Sequence, residues 1–169
     1  MNEKIAVCPG SFDPVTKGHL DILTRASKMF DKVIAAVMIN PAKIPSFDVQ
    51  ERMRLLRRAT EGIPNLEIDC FSGLLVDFVQ GKNAAVIVKG LRALSDFEYE
   101  FQMALTNRKL GPNIETVFLT TLAENMYLSS SIVKQVASFG GDISDFVPAC
   151  ILEEIKERLC KQEDEKNES

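Results

Sequence analysis

Apolar and polar positions along the chain alternate between two periods. Ile5-Ala6-Val7-Cys8 is a short apolar run ended by Pro9-Gly10. Val33–Ile39 and Ala84-Ala85-Val86-Ile87-Val88 are apolar without interruption, the pattern of strands in a parallel sheet covered on both faces. Leu66–Phe71 and Thr116–Thr121 alternate only in part, but their β-branched content makes them strand candidates. Between these runs the spacing turns helical. Ile22, Leu23, Ala26, Met29 and Phe30 predict one helix, and Val49, Met53 and Leu56 another, behind an Asp48 cap with Glu51 three residues on. Ser95-Asp96-Phe97-Glu98 reads as a capping box that opens a helix with the stripe Phe97, Phe101, Ala104 and Leu105. Ser129 opens a further helix, with Ile132, Val133 and Val136 inward and Gly140-Gly141 as its stop. Pro148 suits the first position of a last helix carrying Ile151, Leu152, Ile155 and Leu159.

Five strands alternating with helices predict a doubly wound α/β fold: a five-stranded parallel sheet with helices on both faces. Such sheets bind ligands beyond the carboxyl ends of their strands, where the strand order reverses. The chemistry is therefore sought in the loops after Cys8, Ile39, Cys70, Val88 and Thr121.

Length and composition narrow the class. At 169 residues the chain suits one domain, drawn as residues 1–161, with 162–169 as a polar, solvated and disordered tail. Hydrophobic residues at 46% and charged ones at 26% exclude a collagen-like or wholly disordered chain. The longest apolar run, Val33–Ile39, is far short of the ~20 residues a membrane helix needs. Met1-Asn2-Glu3-Lys4 does not read as a signal peptide, so a cytoplasmic protein is expected. The net charge is −4, but residues 153–169 hold seven acids against four bases, leaving 17 acids and 16 bases elsewhere. Nothing resembles the basic surface of a nucleic-acid binder. Cys8, Cys70, Cys150 and Cys160 form no CxxC pair, and His19 is the only histidine, which leaves little for a zinc site. Reduced, mostly buried thiols are expected.

The strand-end loops carry the candidate chemistry. Pro9 to His19 holds two glycines and two prolines, so its backbone can approach a ligand closely, with Ser11 offering a hydroxyl. His19 lands at the start of a helix, where it either caps and packs or meets an anion drawn to the helix N-terminus. Lys43 sits on the proline-stiffened loop Asn40–Pro45, and Lys89 and Arg92 flank Gly90. Three cations at two strand ends point to an anionic ligand. Ser129-Ser130-Ser131 begins a helix, which fits either plain N-capping or a phosphate. Read together, the loops suit two phosphorylated groups. GxGxxG, GxxxxGK[ST] and GxSxG motifs are absent, and no cysteine has a plausible base. Positioning of two reactants and charge stabilisation are expected, not covalent catalysis.

Five segments together carry a resemblance: Gly10-Ser11-Phe12-Asp13-Pro14, Thr16-Lys17-Gly18-His19, Lys89-Gly90-Leu91-Arg92, Asp96-Phe97-Glu98-Tyr99-Glu100 and Leu128-Ser129-Ser130-Ser131. In this order and spacing, over residues 3–159, the chain resembles the bacterial phosphopantetheine adenylyltransferases. These belong to the nucleotidyltransferase superfamily with its (T/H)xGH and ISSS-type signatures and Rossmann-like fold. The resemblance implies adenylyl transfer from ATP to 4′-phosphopantetheine, giving dephospho-coenzyme A and pyrophosphate, the penultimate step of coenzyme A synthesis. It implies that Ser11, Lys43, Leu75 and Lys89 face the acceptor. ATP would meet Ser11, Phe12, His19, Gly90, Leu91, Arg92, Glu100 and the segment Asn125, Met126, Tyr127, Leu128, Ser129, Ser130 and Ser131. His19 would stabilise the transition state, with Mg2+ carried by the ATP phosphates, coenzyme A as a feedback ligand, and a homohexamer as the assembly. Two positions depart from the family: Lys89 stands where an arginine is usual, and the tryptophan usual before the serine run is missing. The rival readings are another nucleotidyltransferase of the superfamily and a non-catalytic receiver-like module. The second would need carboxylates at the strand ends, where this chain carries Lys43, Lys89 and Arg92.

Overall fold

The structure, a computed structural model, describes residues 3–167, with the side chains of 94, 95 and 161–167 outside the description. In chain order the elements are β1 (Ile5–Gly10), α1 (Lys17–Ser27), β2 (Lys32–Met38), α2 (Val49–Ala59), β3 (Leu66–Phe71) and α3 (Leu75–Gly81). They continue with β4 (Val86–Leu91), α4 (Leu94–Leu110), β5 (Glu115–Thr120), α5 (Ser130–Ser138) and α6 (Leu152–Asn167). Single 3-10 turns span Ala123–Asn125 and Ala149–Ile151.

The five strands form one sheet in the order β3-β2-β1-β4-β5, every neighbouring pair parallel. This is the doubly wound, Rossmann-like α/β arrangement, and its order reverses between β1 and β4. These two strands pair only at Ala6–Val86 and Val7–Ile87, so their carboxyl ends part and open a crevice. Alternate residues of β2 serve opposite faces. Val33, Ala35 and Val37 join the larger core with Leu23, Leu56, Val133 and Ile155, while Ile34 and Ala36 join a smaller one with Phe71, Val76, Val79 and Ile114. Both faces are thus sealed by helices, which is why β2 has no polar position in its centre.

Two helices start on reciprocal caps. The Thr16 side chain accepts from the His19 backbone N–H while the Thr16 backbone N–H donates to the His19 ring, and Asp48 and Glu51 pair in the same way. Several expectations need correction. α1 ends at Ser27, because the Lys28 N–H turns back onto the Arg25 and Ala26 carbonyls, so Met29 lies beyond the helix and exposed. α4 starts a residue before Ser95, behind the extended Ala93, so Ser95 is inside the helix and no capping box forms there. Its stripe of Phe97, Phe101 and Leu105 faces outward, because α4 packs on β4, β5 and α3 with only part of its surface. Ile132 is likewise exposed, and Pro148 precedes a 3-10 turn and not α6 itself. Ala84 and Ala85 come before β4: the Ala84 N–H bonds the Val79 carbonyl and closes α3, a seven-residue helix that the pattern did not show. Cys150 and Cys160 are exposed, since the turn and α6 present them to solvent; all four cysteines are free. α6 runs across the boundary drawn at residue 161, and residues 168–169 lie outside the described residues. No helix among the described residues is long and apolar enough to cross a membrane.

Candidate active site

Where β1 and β4 part, the strand-end loops enclose an open cavity of about 870 Å³. The loop after β1 forms its floor. Phe12 adopts φ 48°, a left-handed conformation that a bulky residue takes only when its surroundings impose it. Its ring is buried over Gly10, where an added Cβ would lie 3.0 Å from the ring, and meets the His19 ring edge-on at 5.0 Å. On either side of Phe12 the backbone is tied down. The Ser11 carbonyl accepts from Arg52 Nη1 at 2.9 Å. The buried Asp13 carboxylate accepts from the Ser46 and Phe47 N–H groups at 3.1 and 2.9 Å and pairs with Lys134 Nζ at 3.0 Å. One aspartate therefore joins the β1 loop, the chain after the Lys43 loop, and α5.

His19 is both a cap and a cavity wall. The Thr16 backbone N–H donates to its Nδ1 at 3.0 Å, and a backbone N–H can only donate. Nδ1 must then be unprotonated, which leaves the proton of the neutral ring on Nε2. Burial first, then the nearby Arg92 and Lys89 charges, lower its pKa from 6.5 to about 4. At neutral pH the ring is an uncharged, oriented donor. Capping and ligand reading, set against each other in the sequence, are compatible in this geometry.

The two cations at the β4 end arrive with counter-ions. Lys89 Nζ pairs with Glu100 at 3.1 Å. Arg92 donates through Nε and Nη2 to Asp96 at 3.0 and 3.2 Å and through Nη1 to the Leu128 carbonyl at 2.8 Å. Asp96 and Glu100 lie four residues apart on one face of α4, facing the two cations of the β4 end. With five N–H bonds on a guanidinium and three used here, Arg92 keeps two for a ligand. Ser129 caps α5 through the Ile132 N–H at 3.1 Å, and the Ser130 hydroxyl donates to the Pro14 carbonyl at 2.7 Å. Ser131 keeps a hydroxyl with no protein partner among the described residues, at a helix N-terminus suited to anions.

The cavity brings together most of the residues proposed from sequence: Ser11, Phe12, His19, Lys43, Lys89, Gly90, Arg92, Glu100, Asn125, Leu128 and the three serines all line it. Leu75, Leu91, Met126 and Tyr127 do not. Leu75 packs at the start of α3 against the smaller core, and Leu91 ends β4 with its carbonyl taken by the Thr121 N–H. Met126 and Tyr127 are exposed, with Tyr127 edge-on to Phe146. Missed from sequence were Arg52, Lys134, Asp96 and the tying role of Asp13. Arg52 sits between Val49 and Met53 on the inward face of α2, and Lys134 one turn beyond Ser130; a cation on an inward helical face was the available signal. Cys8 lies in the wall, but burial pushes its thiol up to about 12, so no thiolate nucleophile exists there. Each carboxylate of the wall is engaged: Asp13 by Lys134, Asp48 by the Glu51 N–H, Asp96 by Arg92 and Glu100 by Lys89. The cavity can thus fix two anionic groups beside an oriented neutral donor, and it contains no nucleophile–base pair.

Comparison with known proteins places this arrangement. A family model described as cytidylyltransferase-like matches residues 7–136. A phosphopantetheine adenylyltransferase of Caldanaerobacter subterraneus subsp. tengcongensis is 55% identical over 158 residues, covering 94% of this chain and 99% of that protein. One from Clostridium botulinum (strain Langeland) is 59% identical over 156 residues, covering 92% and 95%. A solved Vibrio parahaemolyticus chain, described as a candidate nicotinate-nucleotide adenylyltransferase, superposes with a TM-score of 0.66 over 93% of this chain and 96% of that one. At 19% identity it supports the fold alone.

Proposed function

This chain belongs to the cytidylyltransferase-like family and, within it, to the phosphopantetheine adenylyltransferases of coenzyme A biosynthesis, and we propose that it transfers the adenylyl group in one direct, in-line step. An oxygen of the 4′-phosphopantetheine phosphate attacks the α-phosphorus of ATP. The bond from that phosphorus to the bridging β-phosphate oxygen breaks, and pyrophosphate leaves with the electron pair. The attacking phosphate is already an anion at neutral pH, so no general base is required, and the cavity supplies none.

The pinned neutral His19 carries this reading. Its Nε2–H is the donor placed to stabilise the charge that develops on the α-phosphoryl oxygens, and Thr16 fixes the ring so that little reorganisation is needed. Arg92, Ser131 and the α5 N-terminus are assigned to the ATP phosphates, and Ser11, Lys43 and Lys89 to the acceptor. The engaged wall carboxylates do not suit a resident metal, so Mg2+ is taken to arrive on the ATP phosphates. Coenzyme A shares the pantetheine arm and a nucleotide with the two substrates, which makes it a competitor for the same cavity. The exposed apolar side chains of α4 support a homo-oligomer, for which the hexamer is the proposed size. The cytoplasm is the proposed compartment, with no nucleic-acid or membrane partner.

Isotope exchange tests the direct step. Labelled pyrophosphate should enter ATP only when dephospho-coenzyme A is present. Exchange with ATP alone would demonstrate an adenylyl-enzyme and overturn the reading.

A further inference from the structure

Arg52 is 5% exposed, the most deeply buried charged side chain among the described residues. It reaches from α2 to the seam between β1 and β2. There Nη1 divides its two protons between the Ser11 carbonyl at 2.9 Å and the Met38 carbonyl at 3.0 Å. Nε is buried without an acceptor. Nη2 has no acceptor among the described residues, although the side chain lines the cavity. Burying a guanidinium with no carboxylate beside it is costly. Three other cations of the wall differ: Lys89, Arg92 and Lys134 face Glu100, Asp96 and Asp13, and their charges cancel in pairs, while Lys43 stands on an exposed loop where water solvates its charge. An arginine retained only to tie two carbonyls would need no charge and no unused donors. A fixed positive charge with free N–H groups at the floor of an anion cavity needs an anion.

We propose that Arg52 is a binding residue for the acceptor phosphate, meeting it with Nη2 while Nη1 holds the two loops that carry Ser11 and Lys43. The assignment rests on the adenylyl-transfer reading above. It places the phosphate over the ends of β1 and β2, between Lys43 on one side and His19 on the other. The acceptor and not the nucleotide is favoured, because Nη1 holds the Ser11 carbonyl just after β1 and the Met38 carbonyl at the end of β2, which leads into the Lys43 loop, while Arg92 follows β4 and the nucleotide's serine run opens α5. The same tie fixes the peptide before Phe12, so it also supports the left-handed turn at the floor.

Calorimetric titration of the full chain tests this with two probes, 4′-phosphopantetheine and pantetheine, the same arm without its phosphate. The proteins are wild type, Arg52→Met and Arg52→Lys, with ATP titrated separately and folding checked by circular dichroism. Arg52→Met should bind 4′-phosphopantetheine about 10–100-fold more weakly, the typical worth of a hydrogen bond to a charged group, and bind pantetheine and ATP as wild type does. Arg52→Lys keeps the charge without the fork and should lose less. If Arg52→Met does not fold, the lysine variant decides by the same contrast between the two probes. Equal weakening of both probes would make the residue structural and overturn the proposal. So would unchanged binding, or a loss confined to ATP. A wild-type protein that does not bind 4′-phosphopantetheine would overturn the functional reading and this assignment together, which separates the two failures.

Discussion

The Thr16 backbone N–H occupies Nδ1 of His19, and that one bond decides which proton the ring can offer. Removing the ring in His19→Ala should lower turnover by about 100–1000-fold, the usual cost of one oriented donor in a transition state, and leave both Michaelis constants nearly unchanged. Steady-state kinetics checks this; a raised Michaelis constant with normal turnover contradicts it. The ring should titrate near pH 4 by NMR, since burial and the two cations lower its pKa from 6.5 to about 4. The folded pKa lies below the unfolded one, so the unfolded chain takes up the proton first. Stability from this group is therefore complete above about 6.5, is lost as pH falls towards 4, and changes no further below. Across the crevice, Lys43→Ala and Lys89→Ala should each raise the Michaelis constant for 4′-phosphopantetheine about 10-fold and spare that for ATP. Lys89→Arg should keep activity. If Lys89→Ala weakens ATP and spares the acceptor, the two halves are reversed. Lys43, Lys89, Arg92 and His19 were legible because they stand at or just beyond the carboxyl ends of strands, where the fold rule directs attention. Arg52 and Lys134 were not, because a helix interior is read for its apolar period and a cation in it passes as an ordinary surface residue.

Helix starts hold the site together as much as side chains do. Thr16 is buried, caps α1 through the His19 N–H, and its backbone pins the ring. Thr16→Ala should cost about 1 kcal/mol, the usual value of such a cap, and lower the melting temperature by about 2–4 °C in a domain of this size. Thr16→Ser should recover most of it. Turnover should fall far less than in His19→Ala, since the N–H on Nδ1 belongs to the backbone and survives. Thermal melts and kinetics on the three variants check both halves of this expectation. The strands were the most legible elements: β2 and β4 are apolar on both faces because helices cover both. α3 was not, since seven residues hold too few turns to show a period and no side chain caps its start. In α4 the period was read correctly and its direction was not. Phe97, Phe101 and Leu105 repeat as a buried stripe would, yet a period alone does not say which body covers it.

For the whole molecule, that uncovered stripe and the cavity lead to separate expectations. Phe101 and Leu105 are 46% and 55% exposed, more apolar surface than a lone domain usually leaves on one helix. Multi-angle light scattering should find a hexamer at micromolar concentration, and Phe101→Glu should dissociate it; a wild-type monomer would contradict this. The doubly wound class and its five strands were legible from the alternation of strands and helices, and the site's position followed from them. The identity of the two anions did not, since loops of glycine, lysine and serine suit many phosphates. Substrate choice is therefore the most direct test of the account. Pyrophosphate release from ATP should be measured with 4′-phosphopantetheine, nicotinate mononucleotide and glycerol 3-phosphate side by side. Release should be rapid with 4′-phosphopantetheine, with dephospho-coenzyme A as the second product, and should stay at background with the other two. Release that is faster with either rival acceptor, or absent with 4′-phosphopantetheine, would contradict it.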